Sequence, residues 1–343
     1  MSDYDGDGDP DLAVGNVGSN RLYRNDGGTL TASAVWSSTE EDYTWSVAWG
    51  DYDGDGDLDL AAGNNGPNRL YRNDGGTLTA TAVWSSSEEV CTKSVAWGDY
   101  DDDGDLDLAV GNSGGGATDQ LYRNDGGVLT LDTAWSVSTA YDTSSIAWGD
   151  YDGDGDIDLA ASSWGELVRL YRNDEGMLTP NAVWFSPDMN VANSVAWGDY
   201  DGDGDLDLAV GNWGTPNRLY RNDEGTLAAS AVWSSAEAEA TTSVAWGDYD
   251  GDGDLDLAVG NSGHWDEMDW VAEPDRLYRN DRGILTTEAI WSSTEADRTR
   301  GVAWGDYDGD GDLDLAAAAR LHRNDGGVLT MDSIWSPVMA WTQ

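Results

Sequence analysis

A chain of 343 residues, 39% of them apolar, can bury a sizeable core, yet 66 acidic against 17 basic residues leave a formal net charge of −49. So negative a surface repels nucleic acid and anionic membrane, and no apolar run reaches the ~18 residues of a membrane-spanning helix. The start Met1, Ser2, Asp3 is no secretory leader, lone Cys91 excludes an intrachain disulfide framework, and nineteen Trp with fifteen Tyr argue against disorder.

The first Asp loop, at Asp3, announces a repeat that runs through the whole sequence. Its pattern is clearest in the second copy, Gly50-Asp-Tyr-Asp-Gly-Asp-Gly-Asp-Leu-Asp-Leu60. The first Asp recurs at positions 3, 51, 99, 150, 199, 248 and 306, in steps of 48, 48, 51, 49, 49 and 58 residues. Periods of roughly 40–50 residues with several short strand signals each are the mark of propeller blades.

The third unit shows the elements of one repeat. Ser94–Gly98 is a short β-rich run, and after the Asp loop Leu106-Asp-Leu-Ala-Val110 alternates with period two. A Gly/Asn turn leads to Gln120-Leu-Tyr-Arg123, then to the turn Asn124-Asp-Gly-Gly127, and Val128–Trp135 alternates again. No stretch has a helical period. The expectation is an all-β chain: one domain, residues 1–343, forming a seven-bladed β-propeller of four-stranded antiparallel blades. The blades start near Asp3, Asp51, Asp99, Asp150, Asp199, Asp248 and Asp306.

The first unit lacks its leading strand, and the chain ends Val338-Met-Ala-Trp-Thr-Gln343, similar to the missing Ser-Val-Ala-Trp-Gly. This C-terminal segment is expected to pair into the first blade and close the ring without an open edge. About three residues after Trp335 reach roughly 10 Å, whereas crossing four strands takes about 14 Å, so an abbreviated closure or a short last outer strand is expected.

Each loop places carboxylates at alternate positions around a glycine, a way to wrap Ca²⁺, which takes six to eight oxygens. Read from Asp51, the side-chain ligands are Asp51, Asp53, Asp55 and Asp59, with Gly56 allowing the turn and Asp57 donating its backbone carbonyl. The other loops give Asp3, Asp5, Asp7, Asp9 and Asp11, then Asp99, Asp101, Asp103, Asp105 and Asp107, then Asp150, Asp152, Asp154, Asp156 and Asp158. Asp199, Asp201, Asp203, Asp205 and Asp207 form the fifth, Asp248, Asp250, Asp252, Asp254 and Asp256 the sixth, and Asp306, Asp308, Asp310, Asp312 and Asp314 the last. About seven Ca²⁺ ions are expected, one per loop. Mg²⁺ demands tighter octahedral geometry and keeps more water. A helix-flanked Ca²⁺ loop would carry a Glu at position twelve, which here is Ala62, and its flanks are strands. Pro10 replaces the usual Leu in the first loop and Asp102 the first Gly in the third.

The Asp loop, the preceding Ala-Trp-Gly-Asp and the following Arg69-Leu-Tyr-Arg-Asn73 resemble the FG-GAP/VCBS repeats of integrin α-subunit-type β-propellers. The resemblance covers nearly the whole chain, although the Phe-Gly-Gly-Ala-Pro signature is missing and Phe185 is the only Phe. It implies Ca²⁺ in the hairpin between the first two strands of each blade, on the lower face, and extracellular or cell-surface use in adhesion or carbohydrate recognition.

The loops between second and third strands, on the upper face, are where repeats differ, and variable loops on a rigid scaffold commonly bind. Fourteen Trp occupy two repeated positions, represented by Trp84 and Trp97, and are expected to pack blade against blade. Trp45 breaks that pattern, as do Trp164, Trp213, Trp265 and Trp270, of which the last four, with His264, are the candidate ligand contacts. The reading is a monomeric, non-catalytic recognition module for carbohydrate or a protein partner. The alternatives are a repeat scaffold without a ligand, natural or engineered, and a Ca²⁺-dependent polysaccharide lyase.

Overall fold

The computed structural model describes residues 1–131, 135, 137, 140–266, 269–296 and 298–336, without the side chains of 265 and 266. Every regular element among them is a β-strand. Blade 2 shows the plan: Thr44–Gly50, Asp59–Asn64, Arg69–Tyr71 and Trp84–Ser85 pair in that order, all antiparallel. Blades 3 to 6 repeat it, with first strands Cys91–Gly98, Thr143–Gly149, Ala192–Gly198 and Thr241–Gly247. First strands of consecutive blades lie against one another and form the inner wall of a ring.

Blades 1 and 7 each contribute three named strands, beginning with Leu12–Val14 and Val302–Gly305. Their fourth positions are held by the bridges Ser2–Asp11 and Leu321–Trp335. Ser2 exchanges both backbone hydrogen bonds with Asp11, at 3.1 and 2.9 Å, so Met1 and Ser2 stand where Trp49 and Gly50 stand in blade 2. The expected partner for the rest of that inner strand, Val338–Gln343, lies outside the described residues.

The core lies between blades rather than within them. Leu22 and Tyr4 of blade 1 pack with Leu60, Ala62 and Tyr71 of blade 2. The same layer joins blade 7 to blade 1 through Tyr307, Ala316 and Leu321 against Leu12, Tyr23 and Leu30, which closes the circle. Both repeated tryptophans belong to these joints, as their spacing predicts. Trp97 Nε1 donates to Ala48 O of the preceding blade at 3.2 Å, and Trp36 stands edge-on to Tyr71 of the next blade with centroids 5.1 Å apart. In blade 7 His322 takes the tyrosine's place, edge-on to Trp291.

The fourth strand differs from its expected form. Alternation suggests a continuous strand, but in blade 2 Leu78 bridges Asn73 while Trp84 pairs with Leu70. Residues 79–83 must therefore match only residues 71–72, and the surplus bulges outward, leaving the two-residue strand Trp84–Ser85. Blade 3 is the exception, with Leu129–Leu131 paired to Tyr122–Asn124.

Tight joints make one prediction. A Cβ on Gly198 would stand 2.6 Å from Trp246 Cδ1 of the next blade. Gly198→Ala is expected to cost about 1–3 kcal/mol by overpacking, read as a lower denaturation midpoint with an unchanged slope.

Candidate metal centres

Each Asp loop is a hairpin between first and second strands. Gly56 turns it with φ +95°, a conformation open to glycine. In blade 2, Asp51 Oδ1 accepts from the N–H of Gly54 and Asp55 at 2.9 and 3.1 Å, and Asp51 Oδ2 from Gly56 at 2.9 Å. Asp59, fully buried at the head of the second strand, accepts from Tyr52 N at 3.0 Å and from Asn73 N at 2.7 Å. That last pair recurs in all seven loops.

Carboxylate oxygens of Asp3, Asp5 and Asp11 lie within 4.8 Å of one another, as do those of Asp51, Asp53 and Asp59, of Asp99, Asp101 and Asp107, and of Asp150, Asp152 and Asp158. In the fifth loop the converging set is Asp199, Asp201 and Asp203. The third Asp of the second loop, Asp55, receives Asp57 N on its Oδ1 at 3.0 Å.

The second Asp tests whether a cation fits. Oδ1 of Asp5, Asp53, Asp101, Asp152, Asp201, Asp250 and Asp308 is buried without a hydrogen-bond partner. One orphaned anionic oxygen per loop, at the same position seven times, is what a hard cation would satisfy. Electrostatics agree. Burial pushes the last Asp of each loop up to about 7, or about 6 for Asp314, with the neighbouring second and third Asp adding repulsion against the relief from backbone N–H groups. An all-oxygen, carboxylate-rich cradle suits Ca²⁺ or Mg²⁺ and not a soft metal.

The fourth Asp has a job its spacing did not reveal. Asp57 Oδ2 accepts from Gly75 N at 2.6 Å, fastening the loop to the Asn-Asp-Gly-Gly turn of the same blade, and the contact recurs in every blade. That turn also reaches the previous blade. Asn73 Nδ2 donates to Tyr4 O at 2.7 Å, and Gly76 lies so close to Asp5 that a Cβ would be 2.7 Å from the Asp5 Cβ. The bond repeats round the ring to Asn25 Nδ2 and Tyr307 O at 2.6 Å. Every loop is thus gripped by its own blade and by the next.

The third loop carries a local strain. Asp102 adopts φ +60° where the equivalent residue Gly54 sits at +73°. Asp102→Gly is expected to raise stability by about 0.5–1 kcal/mol, measured by equilibrium unfolding without divalent ions.

On the upper face the structure separates the candidate ligand residues into two groups. Trp164 and Trp213, from adjacent blades, come together with centroids 5.6 Å apart, and Trp164 is 51% exposed. Trp164 lines a groove of about 300 Å³ with Gly114–Gly116, Tyr141, Asp142 and Glu166. Asp142 Oδ1 holds the glycine loop through Gly114 N at 2.6 Å. The long loop of blade 6 is a hairpin, His264–Asp266 paired with Asp269–Val271. There His264 Nδ1 meets Glu273 at 2.8 Å and Arg298 covers Trp270 at 4.0 Å, while the Trp265 side chain lies outside the described residues.

Residues 3–62, 51–110, 99–161, 158–210, 199–259 and 265–317 each match the model of the FG-GAP-like repeat. No curated protein matches the sequence. Among solved structures, the chain is similar to the crystal structure of BBS1N in complex with ARL6DN, soaked with lead. The TM-score is 0.61 at 14% identity, over 96% of this chain and 89% of that one. A second crystal of that complex, soaked with mercury, gives 0.61 at 13% with the same coverage. At such identity the likeness concerns the fold.

Proposed function

The chain belongs to the FG-GAP-like repeat family, and on that premise we propose that it is a calcium-stabilised, non-catalytic recognition module whose upper groove beside Trp164 receives a polyhydroxylated ring. Two faces with opposite character support this reading. The lower face repeats one loop seven times, and the upper face changes from blade to blade.

On the lower face, the first, second and last Asp of each loop would hold the ion, joined by the third and by the carbonyl of the fourth. Bound Ca²⁺ supplies positive charge to clustered carboxylates and a partner to the orphaned oxygen of the second Asp. The residues themselves fix the hairpin against two blades, so the ion's role is structural.

The groove carries the recognition half of the proposal. A half-exposed indole offers a flat apolar face for the C–H side of a sugar, and Asp142 and Glu166 offer acceptors for its hydroxyls. Both histidines are engaged elsewhere: His264 with Glu273, His322 with Trp291 and Thr330 O. This favours binding over turnover. A glycan array in millimolar Ca²⁺ tests the proposal, with Trp164→Ala expected to lose at least tenfold in affinity for any hit. No hit above background, or hits indifferent to Trp164→Ala, would sink it, and turnover of uronic polysaccharide would sink the non-catalytic part.

A protein partner on the same face is the second reading, favoured by the likeness to BBS1N, which was solved in complex with ARL6DN.

A further inference from the structure

The only lysine of the chain, Lys93, sits at the end of an inner strand remote from the Asp loops. Register shifts between Thr44 and Ser46, and between Thr92 and Ser94, make Trp45 and Lys93 bulged residues without cross-strand partners. Bulges of this kind re-aim side chains. The Lys93 ammonium stands 2.9 Å from the centroid of the Trp45 indole.

Arg300, just ahead of the first strand of blade 7, reaches the same aromatic group. Its guanidinium lies 4.6 Å from the Trp45 ring and 5.7 Å from Tyr43, and Nη2 donates to Tyr43 Oη at 3.1 Å. The Tyr43 and Trp45 rings are 4.7 Å apart. Blades 2, 3 and 7 therefore bring two cations onto one aromatic pair at the upper end of the inner wall.

The group is rich in donors and poor in acceptors. Trp45 Nε1 is buried without an acceptor. Neither Lys93 nor Arg300 has a carboxylate within 4.0 Å among the described residues, whereas Arg69 pairs with Asp42 and Arg276 with Glu239. Burial is the main cause that holds the Lys93 ammonium below its usual range; Cys91 opposes the shift, Arg300 adds repulsion and Asp142 a smaller attraction. Two cations over one indole, with donors to spare, form a receptor for an anion.

We propose that Lys93, Arg300 and Trp45 bind a carboxylate at the upper end of the ring's inner wall. A guanidinium fork matches a planar carboxylate. In a chain of net charge −49, long-range repulsion grows with the guest's charge, so a monoanion is favoured over a dianion such as sulfate.

Because Lys93 is unique, incorporation of lysine labelled with ¹³C at Cε gives a single NMR resonance to follow. The test titrates Ca²⁺-loaded full chain in 0.15 M NaCl with glucuronate, with acetyl-diglycine, with glucose and with sulfate. Expected is a saturable shift with at least one carboxylate and none with glucose, the responding carboxylate telling a sugar acid from a peptide end. Arg300→Gln should weaken that binding at least tenfold, and Arg298→Gln should leave it unchanged. Absence of a saturable shift, saturation by sulfate alone, or binding that survives Arg300→Gln would each overturn the proposal.

Discussion

Removing calcium with a chelator is expected to lower the melting temperature by about 14–26 °C from its value in 10 mM CaCl₂, and returning the ion to restore it. An occupied site would stabilise the native ring by about 1.4 kcal/mol when free Ca²⁺ is tenfold above its dissociation constant, and by about 2.7 kcal/mol when it is a hundredfold above. With an unfolding entropy of about 2.1 cal/mol/K per residue, 343 residues convert that to about 2–4 °C per site when the ring melts as one unit. Affinity in the range of about 10⁻⁴–10⁻³ M, expected for short loops with monodentate ligands, puts half-saturation at about 0.1–1 mM Ca²⁺, so 10 mM is about tenfold to a hundredfold above the dissociation constant. Sodium at matched ionic strength should not substitute, because screening spreads over the surface while the orphaned oxygens need a ligand at contact distance. A melt that is the same in chelator and in 10 mM CaCl₂ would refute a structural ion.

The second large effect belongs to the last Asp of a loop. Asp207 is buried and accepts from Tyr200 N at 3.1 Å and Asn222 N at 2.8 Å. Asp207→Ala leaves both backbone donors unmatched at about 1–3 kcal/mol each, so a loss of about 2–6 kcal/mol is expected even without metal. Asp203, exposed at the tip of the same loop, makes the contrast. Asp203→Asn is expected to change the metal-free stability by less than about 0.5 kcal/mol while weakening Ca²⁺ binding severalfold. Chemical denaturation with and without Ca²⁺ separates the two. If both variants lose stability equally in chelator, the assignment of Asp207 as a scaffold group as well as a ligand is wrong.

Periodicity made the wheel legible, because one blade's pattern, once read, applies seven times. The two tryptophan positions and the alternating carboxylates were legible for the same reason, each being fixed by its own loop or strand. What escaped depends on distant partners. The clamp from Asp57 to Gly75 N and the reach of Asn73 to Tyr4 O join segments 18 and 69 residues apart, and nothing near Asp57 or Asn73 in sequence announces them. The outer strand misled for a different reason. Alternation records which side chains face inward but not how many residues oppose each other, so the surplus at 79–83 was invisible until Leu78 and Trp84 found their partners. Lys93 and Arg300 are 207 residues apart, and only closure of the ring brings them to one indole.

The bond between Asn25 and Tyr307 is chemically the same as its six counterparts, although it alone joins the two ends of the polypeptide. Along the row of Asn-to-carbonyl bonds, nothing distinguishes the joint between the chain's ends from the other six. The joint that lacks peptide continuity is fastened there like any other, so what sets that seam apart below is the missing covalent link and not the clamp.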